Sequence, residues 1–153
     1  MPMKAIENNF DDIKVNELLK KHFIELRSVS PAGSTHVLDI DGLKDKTIKF
    51  WSIWDNEELI GCGAIKILDK DNGEFKSIRV HDKFREKGFG KEIISILLSK
   101  SRDIRLKNIF IETGSGKFFE PARKLFKSCG FEECDPFGHY NNDPNSCYMK
   151  IKV

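Results

Sequence analysis

The sequence predicts a single α/β domain with a mixed sheet, the element order βααβββαβαββ, and helices on both faces of the sheet. Three observations lead to this fold class. The 153 residues are enough for one hydrophobic core, and no linker or repeat divides them. Three strand-like segments joined by hairpin turns follow one another in the first half. In the second half strands alternate with helices, and such crossovers favour parallel pairing.

The chain is expected to start with a short strand over 3–9 and a helix from Asp12. Apolar side chains recur there at intervals of three and four residues, the spacing of one helix face: Val15, Leu18, Leu19, Phe23 and Leu26, with His22 among them. Pro31 and Gly33 end this helix, and a short helical piece is predicted within 36–44.

Three strands come next, over 48–55, 58–68 and 73–80. The residues that join them, Asp55 to Glu57 and Asp69 to Gly73, are typical of hairpin turns. The sequence therefore predicts an antiparallel meander of these three strands.

The second half is predicted to contain a helix up to about Arg105, a strand over 109–113, a helix over 119–129, and strands over 130–134 and 146–153. Pro121 lies in the first turn of the last helix, and Gly130 is placed to cap its end in the left-handed conformation.

Composition excludes several classes of protein. Lys plus Arg number 26 and Asp plus Glu 24, so the net charge of +2 argues against a general nucleic-acid binder. The first ten residues have no apolar run of signal-peptide length, and no stretch is long enough for a membrane span, so we expect a cytoplasmic protein that binds no membrane. The four cysteines and four histidines have no zinc-site spacing, so no metal is predicted.

The segment "REKGFGKE", residues 85–92, opens the helix of the second half with two glycines. A dinucleotide fingerprint would place a third glycine where Ile93 stands, and a phosphate-binding Walker loop would place Ser or Thr where Glu92 stands. The remaining pattern, R-x-x-G-x-G before a helix, suits a pyrophosphate bound by backbone N–H groups at the positive end of the helix dipole. The alternative is a tight turn with solvated cations.

The strand "SIRV" followed by "REKGFG" and a helix resembles motif A of the GNAT N-acetyltransferase superfamily, and "ETGSGKFFEPARKLFKSCGF" resembles its motif B. The resemblance spans essentially the whole chain. It implies that acetyl-CoA enters a gap where the fourth and fifth strands splay apart.

The resemblance also implies which residues hold acetyl-CoA. Pantetheine would pair with the backbone of Ile78, Arg79 and Val80, and an N–H group there would stabilise the oxyanion of the tetrahedral intermediate. The pyrophosphate would lie on the glycine loop, Arg85, Glu86, Lys87, Gly88, Phe89, Gly90 and Lys91. A side chain at Gly90 is expected to project into the pyrophosphate space, so that Gly90→Val would abolish CoA binding without unfolding the domain.

Two carboxylates are candidates for the group that deprotonates the acceptor amine. Glu74 lies at the start of the fourth strand and Glu112 near the end of the fifth. The alternatives are a solvated hairpin residue for Glu74 and a buried partner of a loop amide for Glu112. Lys76 and Arg79, together with His36, could bind a carboxylate of the acceptor, and solvated cations are the alternative.

The chain departs from the superfamily pattern in motif B. Many relatives have an asparagine that contacts pantetheine and a tyrosine that protonates the leaving thiolate, and Phe119 and Phe126 occupy those positions here. Ser115 could replace the pantetheine contact, or it could cap the following turn. Tyr140 is the candidate acid, although a CoA thiolate could leave unprotonated because a thiol is itself acidic.

The sequence thus predicts an acetyl-CoA-dependent N-acetyltransferase for a small-molecule amine that is amino-acid-like or acidic, acting as a monomer or homodimer. One alternative is a non-catalytic CoA or nucleotide sensor with the same fold. The other is a nucleic-acid-binding module that uses the basic segment 79–91, against which the weak net charge argues.

Overall fold

A computed structural model of the protein describes residues 3–31 and 33–153. The first two residues of the stretch considered for a targeting signal lie outside the described residues. The helices and strands are β1 Lys4–Glu7, α1 Ile13–Val29, α2 Ile40–Leu43, β2 Ile48–Asp55, β3 Glu58–Ile67, β4 Asn72–Val80, α3 Phe89–Asp103, β5 Asn108–Gly114, α4 Glu120–Ser128, β6 Glu132–Glu133 and β7 Ser146–Lys152. This order confirms the predicted βααβββαβαββ fold. None of the helices in the described ranges is long and apolar enough to cross a membrane.

The seven strands form one sheet in the order β1-β2-β3-β4-β5-β7-β6. The predicted meander of β2, β3 and β4 is antiparallel, and β4 and β5 are parallel neighbours across the α3 crossover. The second crossover was expected to give parallel pairing as well, and that expectation is wrong. β7 lies between β5 and β6 and pairs antiparallel with both, because its seven residues match β5 along its whole length whereas β6 has only two.

Helices cover both faces of the sheet, as predicted. One buried cluster lies between the sheet and α3 and α4 and includes Phe75, Ile93 and Leu97. The other lies under α1 and α2 and includes Val15 and Leu43. Residues of β2 and β3 belong to both clusters, so these strands are packed on both faces of the sheet.

The strands β4 and β5 separate after a short paired region. Residues 72–74 of β4 pair with 108–110 of β5, and no pairing between the two strands continues beyond Glu74. Further along β4, Ser77 has a positive φ of 55°, and the β3–β4 register shifts between Cys62 and Ala64, which is a β-bulge. The predicted splay between the fourth and fifth strands is thus present, and it opens one edge of β4.

Candidate active site

A cleft of about 710 Å³ fills the splay between β4 and β5. Its walls are residues 74–80 of β4, residues 111–114 of β5, the glycine loop and the start of α4. Phe126 is buried in the α4 wall and offers no polar group to the cleft. The cleft therefore has an apolar wall on the helix side and a backbone edge on the β4 side.

The open edge of β4 presents backbone donors to the cleft. The N–H group of His81 donates to the carbonyl of Ile60 on β3 at 2.7 Å. Because successive residues of a strand direct their polar backbone groups to opposite sides, the N–H group of Val80 points away from β3 and toward the cleft. The N–H group of Ile78 does the same, because the Ser77 carbonyl of the same peptide unit is turned to β3, where it accepts from Cys62 Sγ at 3.2 Å. Arg79, between them, directs its backbone to β3, so two of the three predicted pantetheine partners have the required direction.

The glycine loop, residues 85–91, closes one end of the cleft. Glu86 and Gly88 have left-handed backbones, with φ of 62° and 85°, and α3 begins directly after them at Phe89. Lys87 and Lys91 are exposed. The first N–H groups of α3 therefore have no helical partner and face the same solvent as two cations, an arrangement that suits an anionic ligand.

The surroundings of Gly90 bear on the expected effect of Gly90→Val. A Cβ atom on Gly90 would come within 2.7 Å of Cδ2 of Leu125 on α4, whereas one on Gly88 would meet nothing within 4 Å. A side chain at Gly90 would therefore press on Leu125, and both residues line the cleft. Gly90→Val would disturb the packing of α3 on α4 as well as the loop, so it does not isolate ligand binding.

The side chain of Arg79 is engaged within the protein. Its guanidinium donates to Glu25 at 3.1 Å and to Asp82 at 3.2 Å, lies 3.4 Å from Nδ1 of His22, and is 2% exposed. The carboxylates of Glu25 and Asp82 thus already bind the Arg79 guanidinium, and the expectation that Arg79 binds a carboxylate of the acceptor is wrong. Burial, assisted by the Arg79 charge, lowers the pKa of His22 to about 4, so this imidazole is neutral near pH 7.

A second pocket of about 560 Å³ adjoins the cleft. It is lined by residues 33, 35–38, 66, 68, 74, 76, 138–144 and 148. Residues 35–37, Glu74 and Lys76 line both cavities, so the two spaces meet there. The loops that wall this pocket are joined where Ser34 donates to Asp143 at 2.6 Å.

Three predicted site residues form one hydrogen-bonded group at the junction. The Tyr140 hydroxyl donates to Oε2 of Glu74 at 2.6 Å, and Lys76 Nζ lies 3.2 Å from the Tyr140 oxygen and 3.3 Å from Glu74 Oε2. The ring of His36 packs edge-on against the ring of Tyr140, with centroids 4.9 Å apart. Two residues of β4 thus meet Tyr140, which lies more than sixty positions further along the chain and was predicted separately.

The position of Tyr140 bears on its chemistry. Its phenol lines the second pocket and is absent from the walls of the cleft within the described residues. Burial, and then the Glu74 carboxylate that accepts its proton, raises the pKa of Tyr140 well above its usual range. Its hydroxyl is therefore committed to Glu74 and is a weaker acid than a free tyrosine.

Glu112 lies on β5 at the side of the cleft next to the junction. The Ser146 hydroxyl donates to its Oε2 at 2.8 Å. Burial raises the pKa of Glu112 against the opposing effects of Ser146, His36 and Lys76. A carboxylate that lines a cleft and has a raised pKa is a candidate for the general base.

Two further outcomes concern residues at the margins of the site. Ser115 donates its hydroxyl to the Pro144 carbonyl at 2.7 Å and does not line the cleft, so the expected contact with pantetheine has no support from this geometry. Sequence reasoning missed Lys66, which lines the second pocket and stands directly opposite Glu74 in the β3–β4 register. The predicted hairpin between β3 and β4 could have identified Lys66, because a hairpin turn fixes which residues of the two strands stand opposite each other.

Comparison with known proteins places the chain among N-acetyltransferases. Residues 14–131 match the model of the acetyltransferase (GNAT) family. The chain is 39% identical over 140 residues to the uncharacterized N-acetyltransferase YsnE of Bacillus subtilis, covering 92% of this chain and 93% of that protein. It is 31% identical over 127 residues to the IAA acetyltransferase of Azospirillum brasilense, covering 82% of this chain and 81% of the relative.

The fold has a counterpart among solved structures. A Bacillus subtilis acetyltransferase in complex with CoA superposes with a TM-score of 0.72 at 16% identity, covering 99% of each chain. At that identity the likeness concerns the fold alone. Together with the family match across most of the chain and the cleft between β4 and β5, it leads to one conclusion: the chain belongs to the GNAT family and is an N-acetyltransferase.

Proposed function

We propose that this N-acetyltransferase binds acetyl-CoA in the cleft and transfers the acetyl group directly to the amine of a small acceptor bound in the second pocket. The observation that carries the proposal is the junction of the two cavities at Glu74 and Lys76. A donor in the cleft and an acceptor in the pocket would meet there without any movement of the sheet. The solved relative with bound CoA supports the choice of cosubstrate.

In the proposed reaction Glu112 takes a proton from the acceptor ammonium, and the neutral amine attacks the thioester carbonyl. The N–H groups of Ile78 and Val80 face the cleft, and one of them would donate to the oxyanion, an effect worth about 3–4 kcal/mol for one preorganised donor. Collapse of the intermediate breaks the C–S bond, and the attacking nitrogen releases its second proton to water as the neutral amide forms. CoA leaves as the thiolate, because Phe126 offers no proton.

Glu74 has a different proposed part. Its carboxylate is bound by Tyr140 and Lys76, and its side chain is 4% exposed, so its charge is already compensated. We assign it to positioning the acceptor beside the cleft. The sensor alternative finds less support, because a protein that only binds CoA has no use for a second pocket that opens into the cleft close to a buried carboxylate.

The experiment that tests this function is a screen of amines, amino acids and polyamines for acceptor-dependent release of free CoA from acetyl-CoA, read with a thiol reagent. We expect release with a subset of small amines and a matching increase in mass of the acceptor by one acetyl group. Tight binding of CoA with no acceptor-dependent release for any amine would favour the sensor.

Tyr140→Phe is expected to lower kcat by less than about tenfold, under roughly 1.4 kcal/mol. The substitution removes one hydrogen bond to Glu74 but no proton donor to the cleft, because the phenol faces the second pocket. Steady-state kinetics with saturating acetyl-CoA measures the effect. A loss of several hundredfold in kcat, with acetyl-CoA affinity unchanged, would identify Tyr140 as the general acid.

A further inference from the structure

Lys66 is the cation of the second pocket that no described protein carboxylate neutralises. The pocket is lined by two lysines, Lys66 and Lys76. Lys76 is paired with Glu74 at 3.3 Å, and its side chain is only 10% exposed. Within the described residues no carboxylate oxygen lies within 4 Å of Lys66. The Lys66 charge is the smallest of the contributions to the lowered pKa of Asp45, and the Asp45 carboxylate accepts hydrogen bonds from the amide and hydroxyl of Thr47.

The other cationic side chains of the site are either paired with carboxylates or lie at the cofactor end of the cleft. Arg79 and Arg85 line the cleft, and both are bound by Glu25 and Asp82. Lys91 belongs to the glycine loop at the cofactor end of the cleft. A negative charge on an acceptor in the second pocket would therefore meet Lys66 before any other ammonium or guanidinium group that is not already paired.

The position of Lys66 relative to the junction adds a geometric argument. Lys66 pairs with Glu74 across β3 and β4, and such pairs have Cα atoms about 4.5–5.5 Å apart. Their side chains stand on the same face of the sheet. Glu74 marks the point where the pocket opens to the cleft, so an acceptor with its amine at the junction could place a second group on Lys66 only a few bonds away.

We infer that Lys66 binds a carboxylate of the acceptor, so that the substrates of this enzyme are small amino acids and not plain alkylamines. The inference rests on the proposed function and deepens it. Its basis is an unneutralised lysine in the wall of the pocket, opposite the carboxylate at which the two cavities meet. A charge-assisted contact of this kind would change specificity by about 10- to 100-fold.

The test uses pairs of acceptors that differ only in the carboxylate: an amino acid active in the screen, its primary amide, and the amine obtained by decarboxylation. The measured quantity is the ratio of kcat/KM for the amino acid to kcat/KM for the decarboxylated amine. We expect a ratio of about 10 to 100 for the wild-type enzyme. In Lys66→Met, which keeps the apolar stem, the ratio should fall to near one.

Two variants and a control sharpen the result. Lys66→Arg should keep most of the preference, and Lys66→Glu should bring the ratio below one because it repels the carboxylate. Lys70→Met alters an exposed lysine outside the pocket and should leave the ratio at the wild-type value. The KM for acetyl-CoA and the far-ultraviolet circular dichroism spectrum report whether each variant retains the fold and the cofactor site.

The outcomes separate the two hypotheses. The inference is overturned, while the proposed function stands, if amines are acetylated but the wild-type ratio is near one. The same holds if the preference for the amino acid is retained in both Lys66→Met and Lys66→Glu. If no amine is acetylated at all, the proposed function falls and the inference falls with it.

Discussion

Glu112→Gln is expected to lower kcat by about 10²- to 10⁴-fold, the range that a positioned general base contributes. Gln has the same shape and can keep the contact with Ser146, but it cannot accept a proton from the acceptor ammonium. Binding of acetyl-CoA should not change, because the carboxylate is not needed for any contact proposed with CoA. The measurements are kcat with saturating acceptor and the Kd of CoA by calorimetry.

The pH dependence of kcat/KM tests the role of Glu112 independently. Burial raises the pKa of Glu112, so kcat/KM should fall as the pH drops through that raised value, where the base becomes protonated. The Ser146 hydrogen bond stabilises the carboxylate form and opposes this shift. Ser146→Ala should therefore move the acidic limb of the profile to higher pH, and Glu112→Gln should abolish that limb.

The controls decide between the two candidate bases. Glu132→Gln changes an exposed glutamate of β6 and should leave both kcat and the profile unchanged. If the acidic limb survives in Glu112→Gln and disappears in Glu74→Gln, then Glu74 is the base. In that case the hydrogen bonds from Tyr140 and Lys76 would be tuning the base and not positioning the acceptor.

Reversing both exposed lysines of the glycine loop, Lys87→Glu together with Lys91→Glu, is expected to raise the Kd for CoA by about 30- to 100-fold. Like charges next to a bound pyrophosphate repel it, and each pair at about 4 Å is worth on the order of 1 kcal/mol even in water. The side chains are exposed, so the free energy of unfolding should change little. The effect should shrink as salt screens the charges.

Pantetheine is the matched ligand for this test, because it lacks the pyrophosphate. Its affinity should be the same in the double variant and in the wild-type protein. The control variant, Lys20→Glu together with Lys70→Glu, alters net charge equally at exposed positions away from the loop. Equal weakening of CoA in the control, or loss of pantetheine binding in the loop variant, would show that the phosphates do not lie where we propose.

Much of the fold follows from local sequence. Strand β2 coincides with its prediction over 48–55, and α1 follows the apolar spacing from Val15 to Leu26. These elements are predictable because hydrophobic periodicity and turn residues act over a few positions. The glycine loop was recognisable for the same reason, since a left-handed residue before a helix leaves a short local pattern.

Some of the residues that form the site could also be predicted from the sequence. Glu74, Tyr140 and the pair of Lys76 and His36 were predicted on separate grounds, and the structure brings them together at the junction. The sequence could name these residues by chemical type and by the motifs around them. It could not say that Tyr140 donates to Glu74, because 66 positions separate the two residues.

Only the tertiary structure decided which groups are available to a ligand. Arg79 is occupied by Glu25, which is 54 residues away, Gly90 faces Leu125 of another helix, and Ser115 is bound to Pro144. Strand β7 lies next to β5 because register and length, not chain order, determine pairing. The amino-acid sequence by itself determined the elements and the types of chemistry. Packing determined the partner of each side chain, because charges and hydrogen bonds are satisfied by whatever the fold brings within reach, however distant along the chain.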